Sequence, residues 1–170
     1  MRQFHLKKRI RQTKALGRVK ELKAFAEVKR IALLFDPSDY QQVMEFVSML
    51  EEMGKTVRLW TFAEVESPEW EYAPKSRYLT RKHVDFWGLP KQYVVDDYQG
   101  FPVDMLMNLS HRPNLVLDYL AVLSPATFRV GFKPDEAKDY DFVLAYQEET
   151  SDFKENANSL LFYLKNLRLK

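Results

Sequence analysis

Ile31-Ala32-Leu33-Leu34-Phe35, followed at once by Asp36-Pro37-Ser38-Asp39, decides the fold class. Five consecutive apolar residues suit a parallel strand covered on both faces, where neither side has to alternate with polar groups. Pro37 cannot continue a hydrogen-bonded ladder, and Ser38 or Asp39 can cap a helix. That helix is predicted over about residues 40–53, with Val43, Phe46, Val47 and Leu50 on one face. Gly54 suits the position after it, because glycine accepts the left-handed conformation there. Residues 57–62 read as a second strand. Strand, helix, glycine and strand in this order make a βαβ unit with a right-handed crossover.

The pattern continues downstream. Residues 103–109 read as a third strand, 114–123 as a helix closed by Pro125, 128–132 as a fourth strand and 142–145 as a fifth. A C-terminal helix over 152–169 carries Phe153, Ala157, Leu160, Leu161, Leu164 and Leu167 at helical spacing. The expected fold is α/β: a three-layer sandwich on a mostly parallel, five-stranded, Rossmann- or flavodoxin-like sheet of order 2-1-3-4-5. The connection 133–141 is short, so the last two strands are either antiparallel or joined by one helical turn. Residues 63–101 are less regular, with Pro68, Pro74 and Pro90 among Trp70, Tyr72, Tyr78, Phe86 and Trp87. Here an edge strand at 78–84, a turn at 85–88 and a short helix at 91–98 are expected. The aromatics should pack as a flap or satellite core, since a long structureless loop is unusual.

With 170 residues, 46% of them hydrophobic, the chain suits one core and not a disordered tail. No apolar run approaches the ~20 residues that span a bilayer. Residues 1–17 lack the apolar stretch of a secretory signal. The absence of cysteine excludes disulfides, thiolate metal sites and cysteine nucleophiles, and fits the expected cytoplasmic location.

The net charge of +2 hides a separation. The first thirty residues hold eleven basic side chains against two acidic ones, a net +9, and the remaining 15 basic and 22 acidic residues give −7. The chain therefore divides into a basic helical arm, 1–29, and a single α/β domain, 30–170. Leu16, Val19, Leu22 and Phe25 or Ala26 recur at helical spacing, so an amphipathic helix is expected over 13–28, with the first ten residues irregular. Lys7, Lys8, Arg9, Arg11, Lys14, Arg18 and Lys20 are the candidate contacts for an anionic partner, either nucleic acid or an acidic protein surface. Three other uses compete: the arm neutralises the acidic body, it is a solvated face, or it assembles copies into a homo-oligomer.

In an open α/β sheet, ligands bind beyond the carboxyl ends of the strands where the strand order reverses. The lips of that crevice are Asp36, Ser38 and Asp39 on one side and Asn108, Ser110, His111 and Arg112 on the other. The second group precedes a helix N-terminus, a place that favours anions. Alternatively Ser110 and Asn114 cap that helix and Arg112 pairs with a carboxylate. Neither G-x-G-x-x-G nor G-x-x-x-x-G-K-[ST] occurs, and a carboxylate after the first strand would repel a phosphate. His5, His83 and His111 follow no ligand spacing, so no metal and no cofactor are expected. A triad of Ser110, His111 and Asp36 is disfavoured, because adjacent side chains at a strand end point apart and no G-x-S-x-G elbow exists. No catalytic residue is assigned. Trp87 and Tyr98 could stack a base, although aromatics in such a segment more often join the core.

Val103-Asp104-Met105-Leu106-Met107-Asn108-Leu109-Ser110, the helix at 115–123 and Phe128-Arg129-Val130-Gly131-Phe132 carry a resemblance. Residues 103–132 are similar to the N-terminal Rossmann-like half of heptosyltransferase-like glycosyltransferases. The glycine-rich first loop of those enzymes is replaced here by Asp36-Pro37-Ser38-Asp39, and their donor-binding half has no counterpart. The whole chain also resembles a small family of uncharacterised bacterial proteins. The shared features are a basic N-terminal helix, Phe35-Asp36-Pro37-Ser38, Trp87-Gly88-Leu89-Pro90 and the segment Leu123 to Phe132. That resemblance implies a fold and no activity. The resulting expectation is a non-catalytic α/β binding module whose basic N-terminal helix contacts an anionic partner, RNA or a ribonucleoprotein first. The alternatives are a small-molecule or sugar-nucleotide-binding Rossmann-like domain and a degenerate glycosyltransferase-like protein.

Overall fold

The computed structural model describes residues 1–65, 76–133 and 138–169. These form six strands: β1 (Arg30–Leu34), β2 (Thr56–Phe62), β3 (Ser76–Leu79), β4 (Met105–Asn108), β5 (Phe128–Gly131) and β6 (Phe142–Val143). Five α-helices accompany them: α1 (Arg2–Ala15), α2 (Tyr40–Glu52), α3 (Gln92–Gly100), α4 (Leu115–Leu123) and α5 (Phe153–Asn166). All strand pairs are parallel, in the order β3-β2-β1-β4-β5-β6. That is the order of a doubly wound sheet, reversing between β1 and β4. Among the described residues, no helix is long and apolar enough to cross a membrane.

Alternation along the strands sorts the core into layers, because successive side chains leave a strand on opposite faces. Ile31 and Leu33 join Val57, Leu59, Met105, Met107 and the helices α2 and α5 on one face. Ala32 and Leu34 join Trp60, Leu106 and the helices α3 and α4 on the other. Trp60 meets Tyr98 of α3 edge to face, with ring centroids 5.0 Å apart. The four apolar residues expected to face inward from α2 are all buried, and Gly54 ends that helix at φ +79°. At the close of β5, a Cβ on Gly131 would come within 3.1 Å of the Tyr140 ring, so glycine is what lets Tyr140 lie across the strand end.

Two expectations about the sheet need correction, and one open alternative is decided. The sheet has six strands, not five, because Ser76–Leu79 adds a parallel edge to β2. That strand begins earlier than the expected 78–84. It ends where Thr80 caps the turn Arg81–His83, whose His83 ring accepts the Thr80 N–H. The last two strands, for which the sequence leaves an antiparallel pair and a single-turn connection both open, are parallel. Pro68, Trp70, Tyr72 and Pro74 of the expected flap lie outside the described residues, as does Pro134 in the last connection.

The largest correction concerns the arm. The helix is at Arg2–Ala15 and not over 13–28. Gly17, at φ +73°, terminates it, and the chain beyond is tied to the body where Arg18 and the Glu21 N–H donate to the Thr127 carbonyl. Of the expected apolar stripe only Phe25 is buried, while Leu16, Val19 and Leu22 are 86%, 75% and 49% exposed. The stripe that docks is Leu6 and Ile10, one turn apart on α1, packed on Val116 and Tyr119 of α4. Burying those two side chains contributes about 4 kcal/mol to holding α1 in place. At its other end the arm is tied by Lys55, whose Nζ donates to the carbonyls of Phe25 at 2.6 Å and Val28 at 2.5 Å. Burial lowers the Lys55 pKa, opposed by the charge of Asp104.

Candidate functional site

Six of the seven crevice residues converge beyond β1 and β4, and they converge on each other. Asp36, which is buried, accepts the Ser110 hydroxyl at 2.7 Å on one oxygen. Its other oxygen accepts the backbone N–H groups of His111 at 2.8 Å and Arg112 at 3.2 Å. The Arg112 guanidinium donates to the Ser38 hydroxyl. Asp39, placed to cap α2, makes no side-chain cap bond there. Its carboxylate stands 2.9 Å from His111 Nε2 instead. Asn108 turns towards β5, donating to the Tyr140 hydroxyl at 2.7 Å while accepting the Ser110 N–H. Helix α4 is capped by Asn114 alone, through the Leu117 N–H, so Ser110 is not a capping residue.

The imidazole of His111 is the centre of this cluster. Its Nε2 faces Asp39, and also Asp36 at 3.7 Å, while its Nδ1 lies 3.3 Å from Glu148. The ring stacks on Tyr146, with centroids 3.8 Å apart and planes 4° from parallel. Carboxylates at both nitrogens suit the doubly protonated ring, which donates from each. Burial works against the charged form. The Asp39 hydrogen bond, the Asp39 and Asp36 charges and the Glu148 contact outweigh it, and the pKa is raised above 6.5. A group with a raised folded-state pKa stabilises fully below its unfolded value, and that stability fades as pH climbs through the folded value. The chain should therefore lose stability as pH rises above about 6.5, and His111→Gln should flatten that limb. Thermal melts across pH 5.5 to 9 check this, and parallel profiles for the two proteins would refute it.

This geometry bears on chemistry. Ligand atoms of Asp36, Asp39 and His111 lie within 4.8 Å of one another, a spacing that could hold a metal ion. Yet both Asp36 oxygens already accept protein donors, and the imidazole occupies the cation's place between carboxylates. Ser110 donates to Asp36, with the Arg112 carbonyl 3.3 Å away, and has no bond to His111. A serine activated by histidine needs that bond, so the residues of the disfavoured triad meet without forming one.

Next to the cluster lies a cavity of about 680 Å³, walled by Arg112, Asp118, Phe132, Lys133, Tyr146 and Glu148, among others. Lys133 donates to Asp118 at 2.5 Å. Burial pushes the Asp118 carboxyl up in spite of that cation. Sequence reasoning missed Asp118, Lys133, Tyr146 and Glu148. A signal existed for two of them: Tyr146 and Glu148 follow the last strand, and loops after all parallel strands open on the same edge.

The candidate anionic-partner contacts separate into two groups. Lys14 pairs with Asp139 at 2.5 Å and Arg18 with Asp141 at 2.7 Å, so the body neutralises both. Lys23 and Arg30 likewise reach Asp104. Lys7, Lys8, Arg9 and Arg11 are exposed on α1, and none makes an ion pair among the described residues. Lys20, beyond the helix, is exposed as well. A family model described as "Family of unknown function (DUF6913)" matches residues 2–167, spanning α1 and the sheet together. The chain belongs to that family. No curated protein matches it.

Proposed function

We propose that this family member is a binding module that engages an anionic polymer through the outer face of α1, with RNA as the first partner to test. One observation carries the reading. Leu6 and Ile10 fasten α1 to α4, so Lys7, Lys8, Arg9 and Arg11 are presented by an anchored helix instead of a fraying tail. The body takes up Lys14, Arg18, Lys23 and Arg30, and leaves these four to solvent. Held cations cost less ordering entropy on binding than a flexible arm would.

Phosphate contacts release counterions, so affinity must fall with salt, with a logarithmic slope of about −0.7 per contact on a single strand. Four contacts give a slope of about −3. Lys8→Glu with Arg11→Glu should weaken binding more than tenfold at low salt and bring the slope down by about 1.4. Fluorescence anisotropy with a labelled oligoribonucleotide between 25 and 200 mM salt measures both. No binding at 25 mM salt, or binding indifferent to salt, sinks the reading.

A second reading rests on the 680 Å³ cavity at the strand ends, which lies within the ~300–1,000 Å³ of small-molecule sites. It makes the protein a small-ligand-binding domain, sugar nucleotides being the ligands to screen. A melting temperature unmoved by millimolar ligand would count against it.

A further inference from the structure

We infer that the cavity between α1 and the turn at residues 85–88 receives an unstacked base of a single-stranded nucleic acid, an inference that rests on the α1 reading above. The cavity has a volume of about 410 Å³, and Arg2, Lys7, Arg81 and Trp87 line it above an apolar floor that includes Leu6 and Val116. Trp87 lines it, and Phe86 stands next to two of its lining residues, Trp87 and Arg2. Trp87 is half-buried, held against His5 of α1 with ring centroids 4.0 Å apart. Phe86 is 70% exposed, its ring meeting Trp87 edge to face at 5.0 Å and the Arg2 guanidinium at 5.4 Å.

The turn that carries them is closed by its own hydrogen bonds. The Asp85 carboxylate accepts the N–H groups of Trp87 at 2.8 Å and Leu89 at 3.0 Å. Gly88, at φ +83°, returns its N–H to the Asp85 carbonyl. The protein therefore holds a large apolar ring in water beside the Arg2 guanidinium, forgoing the burial that such a ring usually gains. Glu64 also lines the cavity and pairs with Arg81 at 3.4 Å, so Arg2 and Lys7 are its cations not engaged in ion pairs among the described residues. Lys7 is shared with the exposed basic face of α1, which makes groove and face one continuous surface.

Aromatic and cationic side chains side by side match a single strand, whose bases expose π-faces while its phosphates need positive charge. A duplex keeps its bases stacked and offers the aromatics nothing. Tyr98, which might also have stacked a base, is buried against Trp60 and excluded from this role.

The test uses the full chain, a labelled twelve-nucleotide single strand and the matching duplex, by anisotropy at 50 mM salt. Phe86→Ala and Trp87→Ala should each weaken single-strand binding on the order of tenfold. Neither should change the salt slope or the duplex affinity. Phe86→Ala removes an exposed side chain, so it stays informative if Trp87→Ala disturbs α1. If the parent protein binds the strand with a salt slope and both aromatic variants match it, the inference falls and the α1 reading stands. Equal affinity of the parent for strand and duplex overturns the inference as well. No binding of either probe at low salt overturns both.

Discussion

Replacing Asp104 by alanine is expected to lower stability by about 3 kcal/mol. Asp104 lies just before β4 and is buried. One oxygen accepts the backbone N–H groups of Lys29 at 3.0 Å and Arg30 at 2.9 Å. The other meets Lys23 Nζ at 3.2 Å and the Arg30 guanidinium at 3.4 Å. The side chain thus joins the end of the arm, the start of β1 and the start of β4. Burial alone would raise its pKa. The Arg30 and Lys29 N–H donors, then the Arg30 and Lys23 side chains, outweigh burial and hold the carboxyl well below the usual carboxylate range. Its stabilisation is therefore present above the unfolded value of about 3.9 and lost as pH falls through the folded value. Alanine leaves two backbone donors without their acceptor, and the melting temperature should drop by roughly 10 °C. Urea unfolding at pH 7 measures the loss, with the denaturant slope unchanged. A loss below about 1 kcal/mol would mean that water replaces the carboxylate without penalty.

Asp36→Ala should cost a similar ~3 kcal/mol for a different reason. Here the stranded groups are the Ser110 hydroxyl and the N–H groups of His111 and Arg112, all at the strand ends. The charged His111 loses one of its facing carboxylates, so the pH-dependent limb should also move to lower pH, since that charge helps hold its pKa up. Asp36→Asn keeps the size but places an NH₂ against groups that donate, so it should recover less than half of the loss. Urea titrations at pH 6 and pH 8 distinguish the variants. Equal stability of Asp36→Ala and parent at both pH values would show that the cluster does not hold the loops together.

Much of this was legible in the chain. The apolar run at 31–35, the stripe Val43, Phe46, Val47 and Leu50, and the helical spacing of Phe153, Ala157, Leu160, Leu161 and Leu164 are local patterns, and each became the element its period implies. The crevice followed from topology, because parallel strands put their following loops on one edge. The arm is not legible locally, because two stripes compete there. Leu16, Val19, Leu22 and Phe25 are regularly spaced, whereas Leu6 and Ile10 stand among Lys7, Lys8, Arg9 and Arg11. Gly17 and the pull of the body decided between them.

The sequence by itself determined an α/β chain with a parallel sheet, the place where its loops meet, and a separation of charge into a basic arm and an acidic body. Only the tertiary structure decided which charges are paired within the fold. Lys14–Asp139, Arg18–Asp141 and Lys23–Asp104 join residues 125, 123 and 81 positions apart. Periodicity is written by neighbours along the chain. Ion pairs are made by whatever the fold brings within about 4 Å, and no local pattern records that distance.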